Sequence, residues 1–227
     1  MKILSIADIH GRPYWKEWIK EYDNIDKYIF IGDYVDSFDI SNVEILHNLK
    51  EIIEFKKANL DNVILLYGNH DCSYALSTPH MSNPFKCSGY RPEAHWDLHD
   101  IFNNNKELFQ ASYQINNYLF THAGISNEWF KNQYTYNPTL DKISESLNES
   151  FKYKENSLFD VGYLRDGYKN VGKIFWADKR ETSIDPLNNI HQIVGHTVCN
   201  DIEIIKINDN TSITYIDCIN KPYLLEI

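Results

Sequence analysis

The stretch YIFIGDYVDSF, residues 28–38, decides how the rest of the chain is read. It opens as an apolar run of aromatic and β-branched residues, the composition of a buried strand. It then breaks at Gly32 and sets two carboxylates, Asp33 and Asp36, three residues apart. Buried charge is costly unless something pairs with it, so two acids are a poor end for a core strand. Their placement asks for a chemical reason.

Working outward, KILSIA (residues 2–7) reads as another buried strand, ended by Asp8, and NVILLY (62–67) as a third. Between them, YWKEWIKEY (14–22) follows Pro13 with helical spacing, and NVEILHNLKEIIEFKK (42–57) repeats apolar residues at three and four. This β-α-β-α-β order implies a parallel sheet with helices packed on it. Residues 72–100, rich in Ser, Pro, His, Asn and aromatics, read as a long loop or cap. A hairpin is expected over 111–121 around Asn116-Asn117, with helices near 126–132 and 139–150. After residue 190 the chain is β-rich, in HQIVGH, DIEIIKI, SITYID and PYLLEI. No repeat, low-complexity tract or linker interrupts it.

The 227 residues, 43% hydrophobic and 24% charged, fit one soluble domain, 1–227, with cap or insert segments near 72–110 and 127–170. A net charge of −10 works against non-specific nucleic-acid binding and is compatible with a site for divalent cations. MKILSIADIHG is too short for a signal peptide, and no segment approaches the roughly 20 apolar residues of a membrane helix. Cys72, Cys87, Cys199 and Cys218 form no CxxC pair and read as free thiols of a reducing, cytoplasmic compartment.

Three strands end in polar clusters: ADIHG with Asp8 and His10, GDYVD with Asp33 and Asp36, GNHD with Asn69, His70 and Asp71. The carboxyl ends of parallel strands share one sheet edge, where ligands bind in open α/β folds. On an extended backbone Asp8 and His10 point to the same side. THAGIS adds His122 and VGHTV adds His196. The set Asp8, His10, Asp33, Asn69, His122 and His196 offers hard oxygen and imidazole ligands without thiolate, which suits Mn²⁺, Fe or Zn²⁺. Six ligands are too many for one tetrahedral ion, and a bridging carboxylate fits two ions about 3.5–4 Å apart. Each cluster alone has a plainer reading: a helix cap at Asp8, a turn at GDY, a core histidine at His122, a strand cap at His196. All five falling by chance at strand ends, in this order, is a far weaker account. His47, His80, His95, His99 and His191 read as surface or cap residues, and the spacing of His95 and His99 alone does not make a metal site.

The run D-x-H-G, G-D-Y-V-D, G-N-H-D, H-A-G and G-H-T resembles the calcineurin-like metallophosphoesterase superfamily, closest to its phosphoprotein phosphatase branch. The resemblance covers residues 3–126 and returns at 174–217. It implies a four-layer α/β/β/α sandwich and a water-based hydrolysis of phosphoesters over two divalent metal ions, Mn²⁺ first, with Fe or Zn²⁺ as alternatives. By position, Asp8, His10 and Asp33 hold the first metal. Asp33 bridges to the second, completed by Asn69, His122 and His196. His70 is the general acid, oriented by Asp36. Val198 stands where many superfamily members carry a further histidine. Two departures matter: Ser37 and Tyr67 occupy positions where the branch often has phosphate-gripping arginines. IFWADKRE resembles the stretch that supplies another, making Arg180 the first candidate for substrate binding, with Arg165 and Arg12 behind it. The expected substrate is a phosphorylated Ser/Thr protein. GNHDCSYA and HAGISNEW also resemble symmetrical diadenosine tetraphosphate hydrolases, so a dinucleoside polyphosphate or other nucleotide is the alternative. The rival from another class is a binding scaffold without turnover, against which the complete ligand set counts. Oligomeric state is not legible in these motifs.

Overall fold

The computed structural model describes residues 1–76, 87–153, 156–219 and 221–227. In chain order the first elements are β1 (Lys2–Ile6), α1 (Trp15–Glu21), β2 (Lys27–Phe30), α2 (Asn42–Ala58), β3 (Val63–Leu66), α3 (Asn69–Ala75), α4 (His95–Asn104) and β4 (Phe109–Gln110). There follow β5 (Ser112–Ile115), β6 (Tyr118–Thr121), α5 (Asn127–Asn132), α6 (Ile143–Lys152), α7 (Lys179–Thr182), β7 (His191–Val194), β8 (Glu203–Asn208), β9 (Thr211–Tyr215) and β10 (Tyr223–Glu226). The chain divides into two compact units, Met1–Phe109 with Ile219–Ile227, and Gln110–Cys218.

The first unit is built on a five-stranded sheet of order β10-β1-β2-β3-β4. β1, β2 and β3 run parallel, and β10 returns antiparallel to β1, pairing Lys2 with Glu226 and Ser5 with Tyr223. The central strands are covered, as their apolar runs require: Ile3, Leu4, Ile6, Ile29, Phe30 and Leu65 are each 0% exposed. α2 starts at a capping box in which Ser41 and Glu44 satisfy each other's backbone donors. It buries Ile45, Leu49, Ile52 and Ile53. Trp15 of α1 packs edge-on against Phe30, ring centroids 5.8 Å apart. These elements match the β-α-β-α-β reading.

The second unit carries a five-stranded sheet of order β5-β6-β7-β9-β8. β6, β7 and β9 are parallel, and β5 and β8 flank them antiparallel. β5 and β6 form the expected hairpin, with Asn116 in the left-handed region at its turn. α5 and α6 lie close to the two helices expected near 126–132 and 139–150. Two sheets with flanking helices are the α/β class anticipated from the sequence.

Of residues 72–100, 77–86 lie outside the described residues, and both ends of the stretch differ from the loop reading. α3 runs to Ala75 and α4 begins at His95, which is fully buried, so His95 is a core residue rather than a surface one. Its Nδ1 lies 2.7 Å from the Tyr90 hydroxyl, and its ring packs on Tyr74 at 5.6 Å. His99 Nδ1 bonds to the Tyr74 carbonyl, so neither histidine offers that nitrogen to a metal. His47 is exposed as expected, and His80 lies outside the described residues.

Candidate active site

In the first unit the site is made by the loops that leave β1, β2 and β3. Their backbones are pressed together. A Cβ on Gly32 would sit 2.3 Å from the Gly68 nitrogen, and one on Gly68 would sit 2.1 Å from Asp33 Oδ1. Only glycine admits that approach, and Gly32 also needs its φ of +87°. The buried carboxylate of Asp71 ties the loops: Oδ2 accepts from the nitrogens of Asp33 and Gly68, both at 2.8 Å, and Oδ1 from Tyr34 N at 2.9 Å. Asp71 stands at the third position of α3, where an acid commonly bonds back to the helix cap. That signal was present in GNHD, but nothing local identified its partners on another strand.

Left-handed backbone marks the site. Asp8 (φ 49°), His10 (47°), Asp33 (55°), Asp36 (59°) and, in the second unit, His196 (64°) all adopt it. The other non-glycine cases are all Asn or Asp, residues that tolerate this region. Strain in a histidine must be held by its surroundings and clusters at functional sites. The same-side argument for Asp8 and His10 therefore falls. Both lie beyond β1 on curled rather than extended backbone, and it is the curl that aims them.

His10 Nδ1 lies 2.9 Å from the carbonyls of both Val35 and Asp36. Two acceptors there make Nδ1 the protonated nitrogen and leave Nε2, 3.9 Å from Asp33 Oδ2, as the ligand atom. Burial lowers the pKa of His10, against the pull of Asp33, favouring the neutral ring a metal needs. Asp33 Oδ1 accepts from His70 N at 3.0 Å, and its carboxyl is 2% exposed. His70 Nδ1 lies 2.9 Å from Asp36 Oδ2. Burial opposes charge on His70, but Asp33, Asp36 and Asp71 outweigh it and raise the pKa to about 9. Ligand atoms of His10, Asp33 and His70 fall within 4.8 Å of one another. Of these, the His10 Nε2 and the Asp33 carboxylate, with the other His10 nitrogen already committed, fit a divalent cation, while His70 keeps its proton. Asn69 opens α3, its amide donating to Cys87 Sγ at 3.1 Å.

In the second unit His122 and His196 follow the neighbouring parallel strands β6 and β7, joined by Gly195 N to His122 O at 2.8 Å. Their rings are 5.0 Å apart, and Trp176 stands edge-on to His196 at 5.9 Å. Asp178 gathers both candidate arginines: Arg165 Nε and Arg180 Nε each lie 2.8 Å from its carboxylate. Arg165 also donates to Thr197 Oγ1 at 2.7 Å, next to His196, whereas Arg180 donates to the Leu164 carbonyl. Arg12 is paired with Asp39. Tyr67 does not take over an arginine's task. It is 3% exposed and stacked on Phe109 in the first unit's core. Ser37 is turned to Asp39, donating at 2.7 Å.

No match was found among curated proteins. Among solved structures, a cold-active protein-tyrosine phosphatase from a psychrophilic Shewanella species aligns at 18% identity and TM-score 0.58, over 99% of this chain and 75% of that one. A metallophosphoesterase from Sphaerobacter thermophilus aligns at 13% identity and TM-score 0.51, over 100% of this chain and 84% of its own. At such identities the likeness is one of fold. The family signature of the calcineurin-like phosphoesterases matches residues 1–200, which include Asp8, His10, Asp33, Asp36, His70, His122 and His196. The chain therefore belongs to the calcineurin-like phosphoesterase family, hydrolases of phosphoesters that work with divalent metal ions.

Proposed function

We propose that this chain is a phosphomonoesterase of the phosphoprotein phosphatase type, using a dinuclear centre held by Asp8, His10, Asp33, Asn69, His122 and His196. The observation that carries the reading is the contact of His70 with Asp36 at 2.9 Å, beside the His10–Asp33 ligand pair. When bound, divalent cations supply an acidified water and a counter-charge for the phosphoryl oxygens. Asp36 holds the His70 Nδ1 proton and keeps the ring oriented. His70 carries its second proton on Nε2 and gives it to the leaving oxygen as the P–O bond breaks. Such acid catalysis contributes about 10²–10⁴-fold. The metal of first choice is Mn²⁺, with Fe or Zn²⁺ as alternatives, since these ligands serve all three.

Arg165 is placed ahead of Arg180 for gripping phosphate. It reaches Thr197 beside His196, and its side chain is 27% exposed against 66% for Arg180. Arg165→Ala is expected to raise KM for a phosphopeptide at least severalfold, and Arg180→Ala to change it less. The reverse order would return Arg180 to first place. The whole chain is read as one catalytic domain, with segments 72–110 and 127–170 shaping access. A cytoplasmic location is supported by the four cysteines, none of which is in a disulfide.

A phosphoprotein substrate is supported by the phosphoprotein phosphatase pattern G-D-Y-V-D, and the Shewanella neighbour is named a protein-tyrosine phosphatase. The stretch GNHDCSYA supports the second reading, a dinucleoside polyphosphate. Phosphate release by Mn²⁺-loaded protein separates them, on a Ser/Thr phosphopeptide, a Tyr phosphopeptide and diadenosine tetraphosphate, with Asp33→Asn as control. Peptide turnover lost in Asp33→Asn is the expected result. Turnover of the dinucleotide alone would overturn it.

A further inference from the structure

Asp36 has two carboxylate oxygens, and His70 uses only one. The carboxylate is 2% exposed, so solvent does not hold the other. Oδ1 receives the hydroxyl of Tyr74, a short contact, while Oδ2 faces His70 Nδ1. We propose that Tyr74 is a positioning residue for proton delivery, its hydroxyl fixing the Asp36 carboxylate in the orientation that presents Oδ2 to His70. This rests on the reading of His70 as the general acid.

The direction of the Tyr74 proton follows from its surroundings. The backbone nitrogen of Arg91 donates to the same phenolic oxygen at 2.9 Å. With that lone pair taken, the Tyr74 proton is aimed at Asp36. Burial and the nearby Asp36 charge both raise the phenol's pKa, so the group stays a donor. The ring itself is fixed. Tyr74 is 0% exposed, stacks on Tyr90 at 5.1 Å with an interplanar angle of 20°, and packs against His95. Arg91 is anchored in turn, its guanidinium donating to Asn42 Oδ1 at 2.6 Å and to the Ser37 carbonyl. The terminal torsion of an aspartate is broad and roughly two-fold, so a carboxylate bonded at one oxygen alone has freedom to turn. Tyr74 removes that freedom and, through Asp36, sets where His70 Nε2 points.

The consequence is selective. When an alkyl ester is cleaved, the P–O bond breaks as the Nε2 proton passes to the departing alkoxide, leaving His70 neutral. A p-nitrophenolate departs without needing that proton. Tyr74→Phe keeps the ring and removes only the hydroxyl. We expect it to lower kcat on an alkyl phosphate by roughly tenfold, the scale of a hydrogen bond to a charged group. Its kcat on p-nitrophenyl phosphate should stay within about twofold, with KM for both esters unchanged.

The experiment measures both esters with Mn²⁺-loaded wild type, Tyr74→Phe and His70→Asn. The ratio of two rates on one preparation cancels the active fraction, so partial loss of fold leaves the test intact, and thermal unfolding reports that loss separately. Selective loss on the alkyl ester in both variants is the expected result. Equal loss on both esters, or no loss, in Tyr74→Phe while His70→Asn discriminates would overturn the positioning role alone. If His70→Asn itself treats both esters alike, the acid assignment falls and the role of Tyr74 with it.

Discussion

His10 and His70 stand 5.0 Å apart by ring centroid, edge to face, and are driven to opposite protonation states. Burial wins at His10 and lowers its pKa, and carboxylates win at His70 and raise it to about 9. In the metal-free protein this has a stability consequence. The folded His70 holds its proton more tightly than the ordinary value of 6.5, so the stabilisation is fully present below pH 6.5 and is lost as pH rises through about 9. Thermal unfolding of chelator-treated protein from pH 6 to pH 9.5 is expected to show that decline, and His70→Asn to flatten it. An equal slope in the variant would take His70 out of the account. Residue types and spacing marked Asp33, Asp36 and His70 because strand ends are visible in the sequence. The left-handed backbone at His10 and Asp36 was not visible, because residues of these types adopt it only where the surrounding structure holds them there. Tyr74 lay hidden for a related reason: its partner is far away in the chain.

At the level of elements, the site depends on how closely the β2 and β3 loops approach. Gly68 has φ of −105°, which any residue tolerates, so a substitution there tests space alone. Its added Cβ would lie 2.1 Å from Asp33 Oδ1 and 2.4 Å from Asp33 N. Backbone cannot yield as a side-chain tip can. Gly68→Ala is therefore expected to cost several kcal/mol and to abolish Mn²⁺ binding, read by unfolding and by calorimetric titration. Gly89 is the contrast. Its φ is +79° but its Cβ would meet nothing closer than 3.6 Å, so Gly89→Ala should cost only about 1–2 kcal/mol of backbone strain. Matching losses in the two variants would mean that the approach of the loops does not control the site. The β1–α1–β2–α2–β3 order was legible because buried strands and an amphipathic helix have distinct periods. α4 was not, because HWDLHDIFNN buries only His95, Leu98 and Phe102, too sparse a stripe beside so many polar residues.

For the whole molecule, the metal is expected to act as a folding ligand. A cation that binds only the native state adds about 2.7 kcal/mol at 100 times its Kd. At 227 residues that corresponds to a rise in Tm of roughly 5–10 °C on adding Mn²⁺. Asp33→Asn should lose most of that rise. A full rise in the variant would place the stabilising ion elsewhere. Five polar clusters, spread from Asp8 to His196, could be picked out in the sequence because each ends a strand. The grip on phosphate could not, since Arg165 reaches the Asp178 carboxylate, already shared with the adjacent Arg180, through a contact that no local pattern encodes.

The pairing of β1 with β10 sets a timetable for synthesis. β1 leaves the ribosome long before its antiparallel neighbour, Tyr223–Glu226. All of Gln110–Cys218 must be translated in between. At about 5–20 residues per second that leaves several seconds or more in which the nascent chain carries β1 without this neighbour. During that interval the KILSI strand is an open edge, apolar and ready to pair with whatever strand it meets. The second unit, contiguous in sequence, has no such wait. Its sheet can close while the first is still incomplete, so the unit whose first strand is made earlier is the unit completed later.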